Sequence, residues 1–417
     1  MRTRKLYYEN PYVQKFEAKI VKISKKNDKI TIILDKTAFY PEGGGQPHDT
    51  GVIEGRNGIA HVYRVLEENG EILHFVSIEG KFEEGEEVIG RVDWERRIEH
   101  MRHHTAAHIV WGAIKRVLGH EVKAAGSDLT TKKARLDVFI GKGKRITAEQ
   151  IREIERLSNQ VILENRPVRT YFISAKDALE RFPDVELKKE VEMVRVVEIE
   201  DWDVNFCGGT HVSRTGEVLA IKIFKRERIS EGTDRLLIAA GKSALSMLFD
   251  AHNTLQEISE IAKTKDVKNW VISIKNKLKD AEAEIEKLSS KIYAYKLLRH
   301  LERIERFGVL VMEVDCPKKL LSEVARAIVA EEPNAIVILG RKDGGAALVG
   351  AAGRNIPKFV NVSEVLGEIA KAIGGKTKGS AEFAQGGGPK GEKLNQALED
   401  AKKILKAKLL EFTRQQP

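Results

Sequence analysis

Alternating apolar and polar positions fill residues 1–92 and predict strands. Phe16-Glu17-Ala18-Lys19-Ile20-Val21-Lys22-Ile23 is one such run, and Lys29-Ile30-Thr31-Ile32-Ile33-Leu34 is another, set on either side of the turn former Asn27-Asp28. Further short strands are expected near 58–66, 72–78 and 86–92, with Gly-containing turns between them. Strands spaced this evenly, without intervening helices, predict a small β-barrel over 1–92. The period then changes. Asp93 is placed to N-cap a helix from Trp94 to Leu118, ended by Gly119. Residues 120–241 mix strands with a second helix, Ala148–Arg166, whose entry Thr147-Ala148-Glu149-Gln150 resembles a capping box. Residues 93–241 therefore read as an α+β domain.

Residues 242–306 are helical throughout. Val267, Val271, Ile274, Leu278, Ala281, Ile285, Leu288, Ile292 and Tyr295 recur at spacings of four and three, a heptad seam with Lys, Asp and Glu at many other positions. A helical coiled-coil linker is expected. The pattern leaves open whether the seam folds back on 243–264, through Leu248, Leu255, Ile258 and Ile261, or meets another chain. Residues 307–417 read β-α-β-β-α-loop-α, with buried-strand runs at 308–312, 335–339 and 346–351 and helices at 317–330, 363–373 and 391–411. This is a separate α/β domain, and the whole chain is an α+β multidomain protein.

Composition narrows the class. At 417 residues the chain is long enough for two to four domains. No apolar run is long enough to span a membrane, and the opening Met1–Pro11 lacks the apolar stretch of a secretory signal. Its two cysteines, Cys207 and Cys316, rule out a disulfide framework, so a reducing cytoplasm is expected. Lys and Arg total 71 against 62 Asp and Glu, a net charge of +9 that suits a polyanionic partner.

Two motifs carry chemistry. His104-Thr105-Ala106-Ala107-His108 puts two imidazoles on one helix face, although His100 and His103 crowd the same helix and leave the ligands unidentified. Cys207-Gly208-Gly209-Thr210-His211 adds a thiolate and an imidazole joined through glycines that allow a tight wrap. Three imidazoles and one thiolate make one tetrahedral set for Zn2+: His104, His108, Cys207 and His211. Four protein ligands ordinarily mark a structural site, so catalysis there would need an exchangeable position or a water held nearby. A third segment, Glu42-Gly43-Gly44-Gly45-Gln46, offers exposed backbone N–H groups and an amide.

Together the Gly-Gly-Gln loop, His-Xaa-Xaa-Xaa-His and Cys-Gly-Gly-Thr-His resemble the editing domain of alanyl-tRNA synthetase and its freestanding AlaX relatives. Val212-Ser213-Arg214-Thr215-Gly216-Glu217, Glu231-Gly232-Thr233-Asp234-Arg235, Gly126-Ser127 and Arg135-Leu136-Asp137 fit the same family. Gly374-Gly375-Lys376 and Ala384-Gln385-Gly386-Gly387-Gly388 resemble the synthetase's C-terminal, DHH-associated domain. The likeness runs in order along the chain and matches the long AlaX form. It implies a zinc-dependent deacylase that hydrolyses mischarged Ser-tRNA(Ala), and also Gly-tRNA(Ala), with tRNA(Ala) as partner and a homodimer supported by the terminal domain. Because Met1 opens directly into the barrel, no ATP-dependent amino-acid activation is expected. The resemblance makes His104, His108, Cys207 and His211 the metal ligands and places Gln46 and Thr105 beside the substrate. It lines the pocket with Gly43, Gly44 and Gly45 and extends substrate contacts to Gly208, Gly209 and Asp137, with no general base assigned. The lysines of the terminal helix, Lys390, Lys393, Lys402, Lys403, Lys406 and Lys408, are candidates for tRNA phosphates. The competing reading is a non-catalytic tRNA-binding protein with a structural zinc. A metal-dependent nuclease is disfavoured, because carboxylate-rich motifs are missing.

Overall fold

The computed structural model describes residues 2–26, 29–187 and 191–415, so the turn expected at Asn27-Asp28 lies outside the described residues. The chain divides into two compact units, residues up to Glu257 and residues from Ile258 onward. The barrel and the α+β region thus share one unit, and the helical region is divided between the two units.

In the first unit, six strands close a barrel in the order Lys15–Lys26, Lys29–Leu34, Glu71–Lys81, Asn57–Glu68, Gly51–Glu54 and Glu87–Val92, the last pairing back to the first. Every pair is antiparallel. Alternation does its work here: Phe16, Ala18 and Ile20 point inward with Ile32, Leu34, Ile53 and Ile72, while Glu17 and Lys19 face water.

The helix Trp94–Leu118 follows directly, its first turn capped by Asp93, whose carboxylate accepts from the Arg96 amide at 3.2 Å. It is buried along most of its length, which is why its sequence shows no clean polar face. With the helix Ala148–Glu164, entered through the expected capping box, it packs on a four-stranded antiparallel sheet. That sheet runs Ile221–Ser230, Thr233–Ala240, Ala134–Phe139, Lys123–Leu129. A second sheet, Val168–Ser174, Met193–Ile199 and Asp203–Phe206, ends where Cys207 begins.

The second unit contains the helix Val267–Leu298 and a six-stranded sheet. Its strand order is Glu302–Ile304, Phe307–Glu313, Ala335–Lys342, Ala346–Ala352, Phe383–Gly388, Lys376–Gly379, with one parallel pair joined across the helix Leu321–Glu331. Helices Val362–Ala372 and Leu394–Gln415 cover one face. Leu321–Glu331 and the C-terminal end of Val267–Leu298 cover the other. The stretch read as a loop after 373 is instead a hairpin. Its glycines permit contact that side chains would block: a Cβ on Gly387 would stand 2.4 Å from the Ala346 carbonyl oxygen. The heptad seam is not paired within the helix's own unit; from Val271 to Tyr295 its large apolar residues are 45–62% exposed. Among the described residues, no helix is long and apolar enough to cross a membrane.

Candidate metal centre and cavity

His104 and His108 lie one turn apart on the buried helix Trp94–Leu118, next to small Ala106 and Ala107. Cys207 and His211 come from the turn after Asp203–Phe206. The Cys207 amide bonds to the Arg195 carbonyl at 3.0 Å, and the Arg195 guanidinium returns to the Cys207 and Gly209 carbonyls at 2.8 and 2.7 Å. The four candidate ligand atoms lie within 4.8 Å of one another. Cys207 Sγ is 3.2 Å from His104 Nε2 and 3.5 Å from His211 Nε2. Bonds of ~2.0–2.3 Å to a tetrahedral zinc imply ligand–ligand edges of about 3.3–3.8 Å. The spacing therefore fits an ion, and His100 and His103 stand apart from the cluster.

Proton positions point the same way. The Thr210 amide can only donate, so the Gln46 amide atom facing it at 2.9 Å is the oxygen. That oxygen is also 2.9 Å from His104 Nδ1, which must then carry the proton, leaving the Nε2 lone pair aimed at the cluster. Gln46 Nε2 donates to Thr210 Oγ1 at 2.8 Å. Thr105 stands against the His211 ring as Gln46 stands against that of His104. Its Oγ1 sits 3.1 Å from His211 Nδ1 and accepts from the Val212 amide at 3.2 Å. Both side chains are fully buried. Gln46 and Thr105, expected beside the substrate, are thus turned inward to hold the rings.

Burial drives the His104 pKa down to about 3, with Arg195 adding to the effect, and it lowers those of His108 and His211 as well. Burial pushes the Cys207 thiol up, but the hydrogen bond and charge of His108, with the Gly209 backbone and Arg195, outweigh it and the net shift is downward. Neutral imidazoles beside a thiol biased toward thiolate are the forms a metal requires. Behind His108, burial raises the Asp203 carboxyl to about 6 against the opposing charge of Lys115, and Asp203 bonds the Asn205 amide, which lies 3.5 Å from His108 Nδ1.

His104, His108 and Cys207 open on a cavity of about 170 Å3, whose other walls include Trp111, Ser127, Arg135 and Phe206. Gly44 and Gly45 line it too, at the centre of a turn closed by reciprocal Gly43–Gln46 backbone bonds of 3.0 Å. Their φ values of +62° and +83° explain the glycines, since a turn of this hand needs positive φ at both central positions. Asp137 is on the wall, gripped by Arg235 through bonds of 2.7 and 3.0 Å. Gly43, Gly208 and Gly209, expected as substrate contacts, are not among the lining residues. Gly208 is exposed. Gly209 is buried, and a Cβ there would fall 2.1 Å from His104 Cε1 and 2.7 Å from Gln46 Oε1.

Comparison with known proteins fits this arrangement. Residues 3–96 match the family of tRNA synthetases class II (A), residues 194–236 the threonyl and alanyl tRNA synthetase second additional domain, and residues 304–407 the DHHA1 domain. Alanine–tRNA ligase of Pyrococcus abyssi is 38% identical over 97% of this chain and 44% of its own length. The Pyrococcus furiosus ligase is 39% identical over 96% and 43%. The chain is an AlaX-like relative of alanyl-tRNA synthetase. It spans less than half the length of these ligases. The C-Ala domain from Aquifex aeolicus alanyl-tRNA synthetase, a crystal structure, is 28% identical over 25% of this chain and 97% of that one, with a TM-score of 0.23.

In this AlaX-like chain, sequence reading missed Arg195. It stands in the run Val194-Arg195-Val196-Val197, buried on both faces, and the only hint was a charge amid β-branched residues. It also missed Asn205 and Asp203, which carry no motif. Of the terminal-helix lysines, Lys402 and Lys406 both pair with Glu302 and Lys408 lies 4.0 Å from Glu364, so these are engaged within the domain. The paired glycines give a clean test. Gly209→Ala is expected to displace the His104 ring and lower metal affinity by roughly 10–100-fold, the scale of losing a ligand's supporting partner. Gly208→Ala, whose Cβ would meet only Tyr8 Oη at 3.5 Å, should bind metal as before. Competition with a chromogenic chelator measures both; equal affinities would remove the steric account.

Proposed function

We propose that the chain deacylates mischarged tRNA(Ala), hydrolysing the ester of Ser-tRNA(Ala) and Gly-tRNA(Ala) in trans, with zinc held by His104, His108, Cys207 and His211. The observation that carries this reading is that three of the four candidate ligands open on a cavity rather than being sealed in the core. A bound zinc would supply Lewis acidity at the mouth of that cavity. The chain's own residues account for positioning. At about 170 Å3 the space is below the ~300–1,000 Å3 of whole-ligand pockets, so it suits one small group such as an aminoacyl moiety, with the nucleotide outside. Among the described residues, no protein acceptor is bonded to the Gly44 or Gly45 amide, so these N–H groups remain for an ester oxygen as negative charge grows on it. Asp137, fixed by Arg235, holds a carboxylate on the wall for the α-ammonium group of the aminoacyl end. An aminoacyl ester is labile, so orientation supplies much of the rate without a named base.

Discrimination against alanine follows different rules for the two substrates. A serine hydroxyl can be favoured by a polar partner on the wall, where Ser127 and Asn205 stand. Glycine must enter by being smaller than the alanine methyl. Deacylation of Ser-, Gly- and Ala-charged tRNA(Ala) measured in parallel, with bound metal quantified, tests the proposal. Ester loss is expected to be fast for the first two, slow for the third, and suppressed after chelation. A four-ligand protein set also favours a second reading, a tRNA-binding protein with a structural zinc. Unchanged ester half-lives beside full metal occupancy would support that one instead.

A further inference from the structure

The four-stranded sheet that carries Asp137 has an outer face. Alternation turns Val138, Leu236 and Ile238 into the core and leaves Arg135, Arg235 and Leu237 on the opposite side. Across the strands, Arg135 stands level with Leu237 and with Asp128. These four side chains, with Lys133 and Glu227, wall a second cavity of about 220 Å3. Arg135, Asp128 and Leu129 also belong to the wall of the cavity beside the metal cluster. The two spaces therefore adjoin.

Not all the charge here is spent within the chain. Arg235 is bound to Asp137, and Glu227 pairs with Lys225 at 2.5 Å. Arg135 Nε is 3.8 Å from Asp137 Oδ2, an oxygen that Arg235 already holds at 3.0 Å. That Nε is buried without a hydrogen-bond partner among the described residues, a state that costs free energy until an acceptor arrives. Lys133 is exposed and makes no ion pair among the described residues. Setting the two closed pairs aside leaves Arg135 and Lys133 against the carboxylate of Asp128, one positive charge in excess. A phosphodiester brings one negative charge, and its two free oxygens suit a guanidinium beside an ammonium. Asp128, on the shared wall, offers an acceptor where a ribose joining the two spaces would present its hydroxyl.

We propose that this second cavity is a phosphate subsite, in which Arg135 and Lys133 hold the phosphodiester of the terminal ribonucleotide whose aminoacyl ester lies beside the metal cluster. The subsite rests on the deacylase reading and deepens it, because it separates an aminoacylated RNA end from a free aminoacyl nucleoside.

Calorimetry on the intact, zinc-loaded chain tests it with two hydrolysis-resistant ligands. One is the 3′-seryl-amide of adenosine; the other is the same compound carrying a 5′-methyl phosphodiester. The diester is expected to bind about tenfold more tightly, the scale of one charge-assisted hydrogen bond, and to lose that gain as salt rises. In Arg135→Gln, and separately in Lys133→Gln, the ratio of the two affinities should fall toward one. A variant that merely folds less well lowers both affinities together, so the ratio isolates the phosphate contact. Inorganic phosphate at the same concentration should not displace the diester ligand; equal displacement would make this a free-anion site and overturn the assignment. Equal affinities in the parent protein, or a ratio indifferent to both substitutions, would overturn the subsite and leave the deacylase reading standing. If neither ligand binds, the reading of the metal-side cavity falls and the subsite falls with it.

Discussion

Cys207→Ala is expected to lose its metal and its deacylation together. Cys207 contributes the only thiolate of the cluster, lies 3.2 and 3.5 Å from two imidazole nitrogens, and is drawn toward ionisation by His108 and Arg195. Removing it leaves three imidazoles whose burial already disfavours any charge, with no anion to offset a dication. The loss in metal affinity should exceed the roughly 10–100-fold that follows from removing an outer partner such as Gln46 or Thr105. Elemental analysis alongside kcat/KM for Ser-tRNA(Ala) separates the outcomes. Full metal content in the variant would take Cys207 out of the ligand set. Intact metal with lost turnover would give the sulfur a chemical role of its own.

A second large effect is expected at Arg97 and Asp49, an ion pair whose side chains are both 0% exposed. Arg97 Nε reaches the two Asp49 oxygens at 3.1 and 3.0 Å, and Nη1 donates to the Pro11 carbonyl at 2.9 Å. Asp49 also accepts from the Tyr40 amide at 2.6 Å. The pair joins the ligand-bearing helix to the segment that carries the glycine turn. Substituting one member strands a charge where water cannot reach it, which costs about 3–5 kcal/mol. For a unit of this size that corresponds to a fall of roughly 6–20 °C in the unfolding midpoint. Arg97→Met should show the full cost, and Arg97→Met combined with Asp49→Leu should recover a large part, because no unpaired charge remains. Equal melting of the single variant and the parent protein would show that the pair contributes nothing.

Legibility followed the strength of the local signal. The helix Trp94–Leu118 announced both ends, by Asp93 and Gly119, and its register put His104 and His108 on one face. The barrel was readable because each strand alternates at period two around one core. The metal set was readable from the His-Xaa-Xaa-Xaa-His and Cys-Gly-Gly-Thr-His motifs taken together, although His100 and His103 left the helix alone ambiguous. What could not be read were roles that depend on a partner far along the chain. Gln46 acts on His104 and Thr210, Thr105 on His211, and Arg195 on a turn twelve to fourteen residues away. A glycine run gives no β signal, so the hairpin ending in Gly386-Gly387-Gly388 passed for a loop, although close strand approach is what it needs. The lysines of the terminal helix looked available in sequence, but whether a lysine is free is settled by neighbours such as Glu302.

The turn at Gly43–Gln46 has one more consequence. Two of its residues form cavity wall, and the very next side chain steadies the ring of His104, a candidate metal ligand. The wall and the candidate ligand's support are therefore one peptide bond apart. A guest that shifted the wall would then alter the hold on an ion, and thermodynamic symmetry would require the ion to alter the hold on the guest by the same factor. On the proposed reading, loss of the metal would weaken capture of the aminoacyl end as well as slow cleavage of its ester.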